Sequence, residues 1–394
     1  MTVETVRLAD YCEIVSGATP RRDHPEYWGG DIAWVTPKDI RNLDGAILAD
    51  TPEHITQAGY DSCSTRLLPE GSVLFSSRAP IGLVAVTGRE MCTNQGFKSL
   101  IPGPDVDAGY LYWCLKREAP RIAAKSSGTT FTEISRKGME QVKIPLPPLP
   151  EQRRIAAILD KADAVRRKRQ QTLDLADQFL RSAFLDLFGD PVTNPKGWPV
   201  KRLGEVGEIQ GGLQVTSKRS KNPIEVPYLR VANVYRDALD LTEIKTIRVT
   251  TAELERVALR PSDVLIVEGH GNRDEVGRSA VWDGSIDSCV HQNHLIRVRP
   301  TDEILASQYL SFYLNSSGGR RQMFRSGRTT SGLNTISTRN VKETKILLPP
   351  IEEQERFVHL RSDVSFARQR LEEGISMAET LLGSLTQRAF RGEL

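Results

Sequence analysis

The sequence predicts an α+β chain built twice, with two globular parts and two long helices in alternation. Three observations carry this. One helix-like run, Leu146 to Pro191, has no break inside it. A second run of similar length, Leu347 to Phe390, opens on the same Pro-Pro signature. The segments outside these runs match each other in order.

The first run sets the frame. Pro147, Pro148 and Pro150 block a helix before them, and Glu151 places negative charge in the first turn. No Pro or Gly follows until Gly189, and Gly189 with Pro191 forms a stop. This predicts one helix over Glu151 to Phe188, about 38 residues and roughly 57 Å at 1.5 Å per residue. Such a length suits a spacer better than a domain core. In the second run, Phe357, Leu360, Val364, Ala367, Leu371, Gly374, Ala378, Leu381 and Leu385 recur at spacings of three and four. That is a heptad seam, and it predicts a coiled coil. The first helix carries Ile155, Ile158, Ala162, Val165, Arg169, Thr172, Ala176, Phe179 and Ala183 at matching places. A second stripe, Leu173, Ala176, Leu180, Ala183 and Leu187, offers an apolar face for its C-terminal half.

The repeat then orders the rest. Val6 to Gly17 resembles Lys201 to Gly212, Asp31 to Ile40 resembles Glu225 to Val234, and Gly71 to Ser77 resembles Ser262 to Glu268. Gln95 aligns with Gln292, Tyr110 with Tyr309, and Glu133 to Pro148 with Thr335 to Pro350. Short strands are predicted at Ala33–Thr36, Ser72–Ser76, Gly82–Thr87 and Phe97–Ile101. Their counterparts are Pro227–Val231, Asp263–Val267, Ser279–Trp282 and His294–Val298. A helix follows each set, at Ala108–Ala119 and Ile304–Asn315. The division is a first globular domain (1–146), a central helix (147–190), a second globular domain (191–348) and a C-terminal helix (349–394).

A chain of 394 residues has room for two to four domains. The net charge of +3 is too small to name a partner. Charge is clustered, however: Arg153 to Arg169 holds seven cations against Asp160 and Asp163. The five cysteines are scattered, odd in number and without a CxxC pair, which predicts reduced thiols and a cytoplasmic protein. Met1 to Asp10 lacks the apolar core of a signal peptide, and no apolar run approaches a membrane span.

The search for catalytic motifs is negative. The sequence holds no GxxxxGK[ST] loop, no GxGxxG after a strand, no GxSxG elbow and no HExxH. Glu243-Ile244-Lys245 and Glu343-Thr344-Lys345 match a bare ExK without a Pro-Asp partner at useful spacing. Cys289, His291 and His294 have a spacing that suits zinc, but the first copy keeps no histidine there and no fourth ligand is evident. No metal site is predicted.

What remains is polar and basic loop chemistry. The candidates in the first copy are Arg21, Arg22, Lys38, Ser77, Arg78, Lys125, Ser127 and Thr129. Those in the second are Lys218, Arg219, Arg230, Asn233, Arg236, Asn272, Arg273, Gln292, Arg325 and Arg328. Arg, Asn, Gln and Ser reach base edges, while Lys, Arg and backbone N–H groups hold phosphates. The clusters fall at similar places in two copies whose loops otherwise differ, which fits the reading of two different short DNA sequences. Gln152, Arg153, Arg166, Arg167, Lys168, Gln354 and Arg356 on the long helices are candidates for protein partners.

LPPLPEQRRIAAILDKAD with the helix running to FGDP, SSRAPIG (Ser76 to Gly82), NQGFKSL (Asn94 to Leu100) and GTTFTEIS (Gly128 to Ser135) resemble the specificity subunit of type I restriction-modification systems. The resemblance covers nearly the whole chain. The second copy departs from it, with VEGHGN (Val267 to Asn272) in place of SSRAPIG and HQNHLI (His291 to Ile296) in place of NQGFKS. The resemblance implies two target recognition domains and two helices that pack antiparallel, giving a pseudo-two-fold repeat. It also implies a non-catalytic subunit on double-stranded DNA, with two copies of an adenine methyltransferase subunit and with ATP-dependent nuclease-translocase subunits. S-adenosylmethionine, ATP and Mg²⁺ then belong to those partners.

Overall fold

The computed structural model describes residues 4–78, 80–125, 133–324 and 334–394. The chain forms two compact units, Met1–Leu173 with Arg370–Leu394, and Asp174–Gln369. This division cuts across the sequential one, because each long helix contributes its two halves to different units.

In the first unit a five-stranded sheet runs in the order Cys12–Ser16, Lys98–Pro102, Val73–Phe75, Val84–Thr87, Ile47–Leu48. A three-stranded sheet runs His54–Ile55, Trp28–Val35, Met91–Thr93, and its middle strand is antiparallel to one neighbour and parallel to the other. A pair, Thr5–Arg7 with Lys143–Pro145, closes the base. The second unit repeats the plan: Gly207–Gly211, Leu295–Pro300, Val264–Val267, Ser279–Val281 in one sheet and Lys245–Val249, Ile224–Leu229, Val290–His291 in the other. Val200–Arg202 with Lys345–Leu347 closes that base. Among the described residues the second unit's larger sheet has no counterpart of the short edge strand Ile47–Leu48.

Period-two burial explains the layers. Val73 and Phe75 face one core with Ile14, Val84, Val86 and Leu100, while Leu74, Val15 and Ala85 face another. Val264 and Ile266 separate from Leu265 and Val267 in the same way. Each larger sheet therefore packs helices on one face and the smaller sheet's side on the other.

The long helices are Leu149–Phe188 and Ile351–Ala389, of 40 and 39 residues. The first starts earlier than predicted and includes Pro150, because a first-turn residue needs no N–H partner. Within the first unit, Ile155, Ala156 and Leu159 share a core with Leu382, Leu385, Ala389 and Phe390. Within the second, Phe184 and Phe188 pack on Phe357. In both units the end of one helix meets the start of the other, so the pairing is antiparallel. The seam is corrected in two places. Phe179 and Leu381 are exposed, while Leu180 and Leu382 turn inward, so the first helix uses its second stripe in its C-terminal half. Arg169, at a polar place in the seam, donates to the Gly374 carbonyl. Helix Ala108–Lys125 runs past its expected end at Ala119 and through Pro120. Its second-unit counterpart does break, into Ser307–Asn315 and Ser317–Phe324.

No described helix is long and apolar enough to cross a membrane. All five cysteines are free.

Candidate nucleic-acid interface

Each larger sheet ends in a pair of loops, and backbone hydrogen bonds align the two copies residue by residue. Ser77 N–H donates to the Gly96 carbonyl at 2.7 Å, and Ile134 N–H donates to the Ser77 carbonyl at 2.9 Å. Glu268 N–H donates to His294 at 2.9 Å, and Ile336 N–H to Glu268 at 2.8 Å. Glu268 thus stands where Ser77 stands, and His294 where Gly96 stands. Asn94 N–H bonds the Val35 carbonyl, and Gln292 N–H bonds Leu229. Gln292 therefore matches Asn94, one residue away from the expected match with Gln95. The shared glutamine was a coincidence of identity that the backbone register overrides.

Around Ser77 the first copy is closed. Ser77 is buried, the Lys98 ammonium reaches Glu133 Oε1 at 3.1 Å, and the Arg78 guanidinium lies 3.9 Å from Glu133 and donates to the Gln95 carbonyl at 3.2 Å. Burial raises the Glu133 carboxyl, but Lys98 and Arg78 outweigh it and hold the pKa below its ordinary value. In the second copy the counterparts of Lys98 and Glu133 are Ile296 and Thr335. Glu268 keeps a carboxylate there with its pKa raised by burial.

A second cluster lies on the smaller sheet of the first unit. The Arg22 guanidinium forms two bonds to Glu53, at 2.7 and 2.9 Å, and stacks 3.9 Å above Trp28. Trp28 meets Trp34 edge-on at 5.0 Å. Arg22 is held flat and half-neutralised, and Glu53 is pulled below its usual range by it. In the second unit Arg219 pairs with Glu253 at 3.0 Å, Arg230 with Glu243 at 2.6 Å, and Arg236 with Glu275 at 3.3 Å. Arg21 pairs with Asp23. Most of the expected basic loop side chains among the described residues are thus balanced by a carboxylate. Lys38, Lys218 and Arg273 are exposed, and Asn272 caps its own turn by accepting from Asp274 N–H. Gln292 is half-buried.

Four expected contacts lie inside the units and are corrected. Ser77 is buried at the end of its strand, where its N–H is taken by the Gly96 carbonyl, so it shapes the loop root and meets no ligand. Asn233 is buried, accepting from Arg230 N–H and donating to the Asp240 and Glu243 carbonyls, so it shapes its loop. Gln152 is buried: its Oε1 accepts from Asp107 N–H, and its Nε2 donates to the Asp105 and Pro147 carbonyls. Gln354 does the same with Ala306, Ile304 and Pro349. Both amides clip a helix start to its own unit and face no partner. The other helix candidates are on the surface or half-buried. Arg153 and Lys168 are exposed, Arg166 and Arg167 share Asp163, Arg167 also reaches Asp44 at 2.8 Å, and Arg356 lies near Glu353. The side chain of Lys125, and Ser127, Thr129, Arg325 and Arg328, lie outside the described residues.

The loop candidates missed Trp28, Glu53, Glu268, Arg278 and Arg320. Arg278 lies over the Tyr235 ring and Arg320 bonds the Val276 carbonyl. Trp28 close after Arg21-Arg22 in the first copy is a signal for stacking; the distant carboxylates leave none. Among the described residues no group of His, Cys, Asp and Glu is placed to hold a metal ion. His291 is buried, whereas His294 is exposed.

Comparison with known proteins fits this frame. The model of the type I restriction modification DNA specificity domain matches residues 1–174 and 195–376. The chain is 33% identical over 248 residues to the type I restriction enzyme MjaIX specificity subunit of Methanocaldococcus jannaschii, covering 58% of this chain and 57% of that protein. It is 27% identical to the EcoKI specificity subunit of Escherichia coli, over 70% of this chain and 62% of that protein. It is 26% identical to the StySPI specificity subunit of Salmonella potsdam, over 99% and 89%. The matched part therefore spans less than two thirds of the first two relatives. A chain solved for a type I R-M system superposes with a TM-score of 0.60 at 22% identity, covering 100% of this chain and 98% of that one. The S subunit of M. genitalium gives 0.56 at 14%, covering 98% and 96%. With a family match across both copies, two units of one topology and a fold shared with solved S subunits, this chain belongs to the type I restriction-modification DNA specificity family.

Proposed function

We propose that the chain is a non-catalytic DNA specificity subunit in which each unit reads one half of a bipartite duplex site. The observation that carries this is the contrast on a common frame: equivalent positions at the loop roots hold Ser77, Lys98 and Glu133 in one copy and Glu268, Ile296 and Thr335 in the other. One topology with two chemistries suits two different half-sites. Exposed Lys38, Lys218 and Arg273 supply phosphate contacts, and stacked Arg22 supplies a rigid donor set for a base edge.

The partners in this reading are two adenine methyltransferase subunits and ATP-dependent nuclease-translocase subunits, seated through the long helices. S-adenosylmethionine, ATP and Mg²⁺ act in those partners, in the cytoplasm. The test is methylome sequencing of cells with and without this chain, supplied with its methyltransferase. The expected result is a new methylated motif in two parts separated by an unread gap. A contiguous motif, or no new methylation, overturns the proposal.

A further inference from the structure

We infer that Glu268 is the base-discriminating acceptor of the second unit, taking a hydrogen bond from the exocyclic amino group of a cytosine or an adenine. This rests on the reading of that unit as a half-site reader.

The argument starts from what Glu268 lacks. Its side chain is only 27% exposed, and the one basic side chain within 4 Å of its carboxylate among the described residues is the His294 ring, with Nδ1 at 3.9 Å, too far for a hydrogen bond. No described residue donates a hydrogen bond to its carboxylate. A half-buried carboxylate without a donor is costly and persists where something outside the chain supplies one. The first copy shows the alternative. At the same place Ser77 is a buried hydroxyl, and the neighbouring carboxylate, Glu133, is closed off by Lys98 and Arg78. The second copy has moved the negative charge to the strand end and removed both counter-charges, so the position changes from internally satisfied to open.

The chemistry then limits the ligand. An ionised carboxylate only accepts hydrogen bonds. Phosphate repels it, so on a DNA-facing loop it must aim between phosphates, at a base edge. In the major groove the donors on base edges are the N4 amino group of cytosine and the N6 amino group of adenine. Glu268 thus rejects a guanine O6 or thymine O4 at the position it faces. Exposed Arg273, a few residues on, supplies the positive charge that keeps the loop near the backbone.

The experiment uses the full chain assembled with its methyltransferase partner and competition binding on duplexes carrying each base pair at every read position. Glu268→Gln keeps the shape and adds donors, and Glu268→Ser installs the first copy's residue. The expected result is a loss of discrimination of about tenfold or more at one base pair of one half-site, with the other half-site unchanged. Because discrimination is a ratio, it is insensitive to the folded fraction. The identity of the relaxed pair separates cytosine from adenine. A change below about twofold at every position in both variants overturns the assignment while the split motif stands. A wild-type complex without a split motif instead removes the reading beneath it.

Discussion

The two units agree at their bases and differ at their loop roots. At each base a tyrosine hydroxyl bonds a strand carbonyl, Tyr110 to Pro145 at 2.8 Å and Tyr309 to Leu347 at 3.0 Å. At each base a buried glutamine also bonds three backbone groups. At the loop roots not one of Ser77, Lys98 and Glu133 is kept. The agreement shows what holds each long helix to its own unit, and the difference shows where the two copies part in chemistry.

The bases are alike in design but not in packing, and the largest effect tests this. Phe184 touches Phe188, Tyr309, Phe312 and Phe357 with ring centroids 5.1–5.9 Å away. Among the described residues Tyr110, the counterpart of Tyr309, meets one aromatic ring, that of Phe390 at 5.6 Å. Phe184→Ala should cost about 3–5 kcal/mol in denaturant unfolding. Phe390→Ala should cost less, and equal losses would break the distinction.

Next come the glutamines. Gln152→Leu and Gln354→Leu each leave one N–H and two carbonyls without a partner, at about 1–3 kcal/mol per buried group. Each should destabilise its unit by about 3 kcal/mol or more, and the two by similar amounts, since the bonds match. A loss in only one unit, read by hydrogen exchange, would show that the bases are not equivalent.

A pH test separates the units. His291 is buried and its pKa is pushed down to about 4, by burial first. A lowered folded value means that its contribution is full above the unfolded value of about 6.5 and is lost as pH falls toward 4. At pH 5 the second unit should lose about 2 kcal/mol relative to pH 7.5. The first unit has Thr93 at the same register position and should lose none from this source. His291→Thr should flatten the difference, and an unchanged pH profile would assign it elsewhere.

The smallest effect concerns which cations meet phosphate. Lys38→Ala and Lys218→Ala should each lower the slope of log K against log salt by about 0.9. Arg22→Ala should leave that slope nearly unchanged, because Glu53 already balances it, and instead alter sequence preference. A fall in slope for Arg22→Ala equal to that for Lys38→Ala would make it a phosphate contact.

Much of the frame was legible. Matched Pro-Pro entries, matched helices and short β-rich runs follow from local rules, and the strands fall within a few residues of expectation. The helix expected to end at Ala119 runs on to Lys125 because a proline, here Pro120, stops a helix only where a missing N–H or a ring clash is not accommodated. The loop chemistry was legible only as residue type. Arg22 and Glu53 lie 31 positions apart, and Arg219 and Glu253 lie 34 apart. No periodicity joins them, so a sequence shows the cation and hides the carboxylate that neutralises it. Gln152 and Gln354 were visible as a repeat, yet a polar residue on a charged helix reads as surface until the chain folds over it.

Those glutamines carry one more consequence. Every atom they bond belongs to the main chain, so the clip asks nothing of the side chains on the globular part. The clip by itself would therefore accept a foreign domain with the same backbone path at its base, whatever its loops, while the core under the helix would still have to be matched. Exchange of a whole globular domain at this seam would leave all three hydrogen bonds of each clip in place.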